Sequence, residues 1–102
     1  HRTALKAERM LVNSLTTGFP GIELIAEMVR VSPTKLKSIF KIQFGNSLYQ
    51  YYQEKQMILA KELLKNESLS IKEIALTFGY ENQSKFTAAF KKKFGKLPSE
   101  RN

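Results

Sequence analysis

An internal repeat constrains the fold of this chain more than any other feature. A segment of helical spacing that ends in phenylalanine and glycine occurs twice, fifty residues apart. Its marker residues are Leu36, Ile39, Phe40, Phe44 and Gly45 in the first copy and Phe86, Ala89, Phe90, Phe94 and Gly95 in the second. Upstream, Ile25-Ala26 recurs as Ile74-Ala75 at a spacing of 49, so the second copy has one extra residue before its second helix. A short helix, a tight turn and a second helix make a helix-turn-helix, and the sequence predicts two of them.

The remaining segments also have helical periodicity, and none shows a convincing strand alternation. Ser32-Pro33 predicts a helix start, since serine caps free amides and proline suits the first helical position. Ser70 and Glu73 have the spacing of a capping box. We predict helices over 3–16 (with Leu5, Val12 and Leu15 near one face), 22–30, 33–44, 48–65, 71–78 and 83–94.

These segments predict an all-α fold made of two helix-turn-helix subdomains, each a homeodomain-like three-helix unit, joined by a long linker helix. We place the first helix-turn-helix at about 22–44, the linker helix at about 47–65 and the second helix-turn-helix at about 70–94. The linker segment of 19 residues would be roughly 28 Å long as a helix. A spacer of that length could hold two helices about one turn of B-DNA apart, near 34 Å.

Composition narrows the function. The net charge of +8 and a pI near 9.8 give a potential that attracts polyanions, although a lysine-rich solvated surface would give the same balance. The chain has no cysteine and one histidine, at its first residue, so we expect no catalytic group, no metal and no cofactor. No apolar run is long enough to span a bilayer. The start at His1-Arg2-Thr3, without methionine, leads us to expect a larger parent protein.

The helix faces opposite the apolar stripes point to DNA. At 100° per residue, Leu36 and Phe40 face inward in one helix and Phe86 and Phe90 in the other. The opposite faces then hold Thr34, Lys37, Ser38 and Lys41, and Ser84, Thr87, Ala88 and Lys91, with Lys35, Lys85 and Lys92 on the flanks. Short side chains permit close approach to base edges and lysines meet phosphates, which suits recognition helices in a major groove. The phenylalanines, at inward spacing, are predicted to form core rather than a base-stacking surface.

A set of residues in fixed order extends through both halves. It comprises Ile25-Ala26, Ser32-Pro33, Leu36, Phe40-Lys41, Gly45, Ser47, Tyr51, Ala60 and Leu63-Leu64, then Ile74-Ala75, Gly79-Tyr80, Ser84, Phe86, Phe90-Lys91, Phe94-Gly95 and Pro98. On these residues the chain resembles the AraC/XylS family of bacterial transcription regulators. The resemblance implies cytoplasmic transcription control through double-stranded promoter DNA, RNA polymerase as a second candidate partner, and a sensor or dimerisation domain elsewhere in the parent.

The resemblance also implies site residues. The base-contacting positions would be Thr34, Lys37, Ser38, Ser84, Lys85 and Ala88, and we assign phosphate contacts to Lys35, Lys41, Thr87, Lys91 and Lys92. Three positions depart from the family pattern: Gln56 replaces an arginine, Tyr80 replaces a phenylalanine, and Arg101 stands where an aromatic residue is usual. A basic helical protein-interaction module and a nonspecific nucleic-acid binder remain open as alternatives.

Overall fold

The computed structural model describes residues 1–100, and this range consists of six helices without a strand. The helices are α1 (Arg2–Val12), α2 (Ile22–Met28), α3 (Pro33–Phe44), α4 (Leu48–Leu63), α5 (Ile71–Thr77) and α6 (Gln83–Phe94). The predicted all-α fold is therefore confirmed. The predicted starts of α3 and α5 are confirmed as well, because Ser32 caps α3 and Ser70 with Glu73 forms the capping box of α5.

The chain divides into two compact units between Lys55 and Gln56, within α4. Unit 1 contains α1, α2, α3 and the first half of α4, and unit 2 contains the second half of α4 with α5 and α6. Each unit has its own buried cluster of apolar side chains. The second helix of each predicted helix-turn-helix, α3 or α6, is therefore positioned by the core of its own unit.

In unit 1, α2 and α3 pack against α1. Leu36 and Phe40 are fully buried in α3, and Ile25 with Ala26 lies on the inner face of α2. The aromatic rings of α4 complete this core: the Phe40 ring meets the Tyr51 ring edge to face at a centroid distance of 5.3 Å. An edge-to-face pair stabilises the core beyond its burial alone.

Two tyrosine hydroxyls tie α4 to the N-terminal part of unit 1. Tyr51 donates a hydrogen bond to the Glu8 carboxylate on α1, and Tyr52 donates one of 2.8 Å to the backbone oxygen of Ser14. Burial, followed by the bond to Glu8 and its charge, raises the pKa of Tyr51 to about 12. Burial also raises the pKa of Tyr52. Both hydroxyls therefore stay protonated at neutral pH, which the two hydrogen bonds require.

Unit 2 has an apolar core without a comparable pair of tyrosines. Phe86 and Phe90 of α6 pack against Ile74 and Ala75 of α5. The second half of α4 supplies Met57, Ala60 and Leu64, and Pro98 after α6 is also fully buried.

The structure corrects the prediction for the first helix. Leu5 and Val12 are 47% and 43% exposed, whereas Ala4, Ala7 and Leu11 are fully buried. The alanines face the core because a methyl side chain lets α1 approach α2 and α3 closely, which leaves the larger residues outside. The helix also ends four residues earlier than predicted, at Val12.

The linker helix is shorter at its C-terminal end than predicted. It ends at Leu63 and not at residue 65, because a turn follows in which the Asn66 amide donates to the Leu63 oxygen at 3.0 Å. The Asn66 side chain then accepts hydrogen bonds from the Ser68 amide and hydroxyl. Asparagine and serine favour such side-chain turns over continued helix. The sixteen residues of α4 are roughly 24 Å long.

Candidate functional site

The turn between α2 and α3 is closed by local hydrogen bonds. The Val31 amide donates to the Ala26 oxygen at 3.1 Å, which reverses the chain after α2. Ser32 then accepts a hydrogen bond from the Lys35 amide at 3.1 Å and so begins α3. Within the turn, Arg30 has a φ of 60°, a left-handed conformation that is costly for a residue with a Cβ.

The turn between α5 and α6 repeats this arrangement. The Tyr80 amide donates to the Ala75 oxygen, also at 3.1 Å, and Gly79 occupies the left-handed position with a φ of 82°. Asn82 begins α6 by accepting a hydrogen bond from the Lys85 amide at 2.9 Å. Glu81, between Tyr80 and Asn82, is thus the extra residue that shifts the repeat from a spacing of 49 to 50.

The two second helices also end alike. Each has twelve residues and is followed by a left-handed glycine, Gly45 or Gly95, whose amide donates to the oxygen four residues earlier at 2.8 Å. The equivalence therefore holds at the start, along the length and at the end of α3 and α6.

The outward side of α3 is a polar and basic surface, which we call the α3 face. The predicted base-contacting and phosphate-contacting residues of this helix are all exposed, while Leu36 and Phe40 on the opposite side are fully buried. The α3 face consists of Thr34, Lys35, Lys37, Ser38 and Lys41.

The corresponding surface of α6, the α6 face, holds the six residues predicted for it: Ser84, Lys85, Thr87, Ala88, Lys91 and Lys92. All are exposed except Thr87, which is half-buried. Four of them, Ser84, Thr87, Ala88 and Lys91, line one shallow open depression together with Gln83. Gln83 is a further polar residue lining the depression that the sequence analysis did not single out, although its place in the first turn of α6 is visible in the sequence.

The charge of the α6 face is modified by one acidic residue. Lys85 donates a hydrogen bond of 2.6 Å from its Nζ to Glu81, and both side chains are more than half exposed. Lys91 and Lys92 lie in the last turn of α6, where the helix dipole favours positive charge.

The phenylalanines of the repeat are core residues, as predicted. Phe40, Phe86 and Phe90 are buried, and Phe44 and Phe94 are partly buried against the rings that precede them by one helical turn, at centroid distances of 4.6 and 4.7 Å. Their rings are not available as an open stacking surface for single-stranded bases.

The part of the chain that the structure covers contains no helix with the length and apolar character needed to cross a membrane. Within the same part, no three histidine or carboxylate side chains are grouped as metal ligands.

Comparison with known proteins identifies the family. A family model described as a helix-turn-helix domain matches residues 25–101, about three quarters of the chain. The match begins within α2 and extends through α3, α4, α5 and α6. The chain belongs to the AraC-type helix-turn-helix family.

One relative described as a transcription factor is similar over most of the chain. The probable transcription factor PqrA of Proteus vulgaris is 34% identical over 79 residues, which are 78% of this chain and 65% of PqrA. The chain therefore spans less than two thirds of the length of this relative.

Solved structures share the fold over almost the whole chain. The C-terminal domain of AraT, a response regulator from Geobacillus stearothermophilus, is 31% identical with a TM-score of 0.86, covering 99% of this chain and 84% of that one. A transcriptional regulator from Chromobacterium violaceum with an AraC-type DNA-binding domain is 26% identical with a TM-score of 0.88, covering 98% and 88%.

Two of the three departures from the AraC-type pattern can be located in the structure. Gln56 is 8% exposed on α4, so its side chain is a buried polar group and not an open surface for a phosphate. Tyr80 is half-buried with its ring edge-to-face against Phe86 at 5.5 Å, so it fills the aromatic position that phenylalanine would fill. Arg101, the third, lies outside the described residues.

Proposed function

We propose that this chain is the DNA-binding part of a bacterial transcription regulator, and that it binds double-stranded promoter DNA sequence-specifically with α3 and α6 in successive major grooves. The observation that carries the proposal is the pair of equivalent helix-turn-helix units, each with an exposed polar and basic face on its second helix. The AraC-type family and the transcription-factor description of PqrA support it.

The side chains of the α3 face and the α6 face are suited to two kinds of contact, with bases and with phosphates. Thr34, Ser38 and Ser84 have short hydroxyl side chains, which let the helix backbone approach the bases closely. Lys37 and Lys85 can donate to the O6 and N7 atoms of guanine, and the Ala88 methyl group can contact the thymine methyl. We therefore assign base contacts to Thr34, Lys37, Ser38, Ser84, Lys85 and Ala88.

Most of the affinity would come from phosphates. Lys35 and Lys41 on the α3 face, and Thr87, Lys91 and Lys92 on the α6 face, lie beside or after the base-contacting residues along each helix. The four lysines of this set, together with Lys37, would neutralise about five phosphates and give a plot of log K against log salt concentration with a slope near −5. Contacts of this kind fix the position of a protein on DNA without selecting a sequence.

Selection of bound sites from a random duplex pool tests the proposal. We expect a site of roughly 15–20 base pairs with two informative patches about one helical turn apart. Enrichment without any preferred sequence would favour nonspecific binding, and a salt slope near zero would favour a protein-interaction module.

Single substitutions test the two roles. Lys37→Ala should lower the affinity for the selected site by about 1–3 kcal/mol and relax the preference at one base pair, whereas Lys91→Ala should weaken binding to all duplexes alike. Lys6→Ala, which removes the same charge from the exposed surface of α1, is the matched control and should leave the preference unchanged.

The proposal also concerns the cellular location of the protein and its other domains and partners. We infer a non-enzymatic protein without a cofactor that acts in the cytoplasm, with a sensor or dimerisation domain in the parent chain and RNA polymerase as a second partner. The regulators among its relatives, a response regulator included, support this setting.

A further inference from the structure

We propose that Glu81, the extra residue of the second turn, determines the base specificity of α6 by holding Lys85 for a guanine contact and reducing its attraction to phosphates. This inference rests on the proposed function. It concerns a residue that lies before α6 and outside the base-contacting and phosphate-contacting sets assigned above.

The geometry of the pair supports this role. The Lys85 Nζ lies 2.6 Å from a Glu81 carboxylate oxygen. A lysine ammonium has three N–H donors, so one is directed at Glu81 and two remain. Two donors match the two acceptors, O6 and N7, that a guanine presents in the major groove. Glu81 thus orients the lysine without using up its capacity to contact a base.

The charge of Glu81 changes what Lys85 gains from each kind of contact. A phosphate attracts the net charge of its partner, and the nearby Glu81 carboxylate offsets part of the charge of Lys85. A base edge accepts a directed hydrogen bond, which a compensated lysine can still donate. The pair should therefore favour the base over the phosphate.

The pair has little value for folding. The side chains of Lys85 and Glu81 are 60% and 75% exposed, and exposed ion pairs of this kind contribute little to stability. The cap of α6 is supplied separately by Asn82.

The first helix-turn-helix provides an internal contrast. Lys35 is the counterpart of Lys85, because each donates its backbone amide to the capping residue of its helix. Four residues before Lys35 stands Val31, an apolar side chain packed against the core of unit 1, because the first turn lacks the extra residue. Four residues before the lysine, unit 1 thus has a valine and unit 2 has a carboxylate. This difference agrees with a phosphate contact for Lys35 and a base contact for Lys85.

The test uses the 102-residue chain with Glu81→Gln, first on the selected site and its single-base variants. We expect discrimination at one guanine position, about 5- to 150-fold in the wild type, to fall several-fold. On a random duplex, we expect tighter binding and a salt slope steeper by about 0.9, because the freed lysine neutralises one more phosphate. Thermal unfolding should be unchanged.

Two further variants show whether Glu81 acts through Lys85. Glu62→Gln is the matched control, since it breaks the exposed Glu62–Lys65 pair at the end of α4, and it should change neither discrimination nor salt slope. Lys85→Ala should abolish the guanine preference, and adding Glu81→Gln to it should then have no further effect on discrimination.

Three results would contradict the proposals, and each can be told from the others. Tighter binding by Glu81→Gln with unchanged discrimination would reduce Glu81 to general repulsion and overturn the inference. A further loss of discrimination in the double variant would mean that Glu81 contacts a base itself, and would overturn it as well. A wild-type chain without any base preference would contradict the proposed function before any variant is measured.

Discussion

The two helix-turn-helix units have similar turns and equivalent second helices, but these helices pack against different elements. In unit 1, α3 rests on α1 through fully buried alanines, and tyrosine hydroxyls bond to Glu8 and Ser14. In unit 2, α6 rests on α5 and on the apolar residues of the second half of α4. Short-range features, a cap at the start and a glycine at the end, therefore define the second helix of each unit. The residues against which this helix packs can be mainly apolar, as in unit 2, or partly polar, as in unit 1.

The largest difference should appear when each core is damaged in turn. Phe90→Ala removes a buried ring from unit 2 and should lower its free energy of unfolding by about 3–5 kcal/mol. Because Phe90 belongs to the cluster of unit 2 alone, we expect amide hydrogen exchange to accelerate in α5 and α6 while α2 and α3 keep their protection. Ile42→Ala, at an 84% exposed side chain, is the control and should change stability by less than about 0.5 kcal/mol. Equal loss of protection in both units would contradict the separation of the cores.

Alkaline pH should weaken the hydrogen bond between Tyr51 and Glu8, which lies in unit 1 and not in the apolar core of unit 2. The pKa of Tyr51 is about 12 in the folded chain and about 10 when unfolded, so the unfolded state loses its proton first. The protonated Tyr51 hydroxyl makes its full contribution to the free energy of unfolding below pH 10. This contribution falls by about 2 kcal/mol as the pH rises through 10 towards 12. Denaturant unfolding of the wild type at pH 9 and pH 12 should show this loss, and Tyr51→Phe should lack that part of it. Tyr49→Phe, at a half-exposed ring, should retain it.

The caps of the two recognition helices should contribute equally despite their different residues. Ser32→Ala and Asn82→Ala each leave an α-helix amide without its acceptor and should each lower stability by about 1 kcal/mol. The exchanges Ser32→Asn and Asn82→Ser keep an acceptor and should be nearly neutral in thermal unfolding. A large loss on either exchange would show that the caps are specific to their turns.

The smallest effect concerns the left-handed residue of each turn. Arg30→Gly removes the strain of a Cβ at a φ of 60° and should raise stability by less than about 1 kcal/mol, since the added glycine entropy offsets part of the gain. Gly79→Ala introduces the same strain at a φ of 82° and should lower stability. Calorimetry measures the change in unfolding temperature of both variants. A loss of stability in Arg30→Gly would indicate that the arginine side chain holds the turn.

The short-range features of the fold were predictable from the sequence. Ser32-Pro33, the Ser70–Glu73 capping box and the glycines after Phe44 and Phe94 act on neighbouring amides and carbonyls, so their spacing was enough to locate the helix ends. The exposed faces followed as well, because Leu36, Phe40, Phe86 and Phe90 fix which side of each helix is buried.

Features that depend on distant residues were not predictable in the same way. Burial of Ala4 and Ala7 depends on how closely α1 approaches its neighbours, and hydropathy alone favoured Leu5 and Val12. The bond from Tyr51 to Glu8 joins residues 43 positions apart. Glu81 and Lys85, in contrast, stand at a spacing that the sequence displays, but the relevance of Glu81 became visible only when the turn showed where the extra residue lies.

The boundary between the units, inside α4 at Lys55 and Gln56, has a consequence for recombination. A crossover at that point would exchange one half of the domain between relatives without dividing either hydrophobic cluster. Under the proposed function each unit would contact one half of the DNA site, so chimeras of two relatives joined at this peptide bond would combine their base preferences.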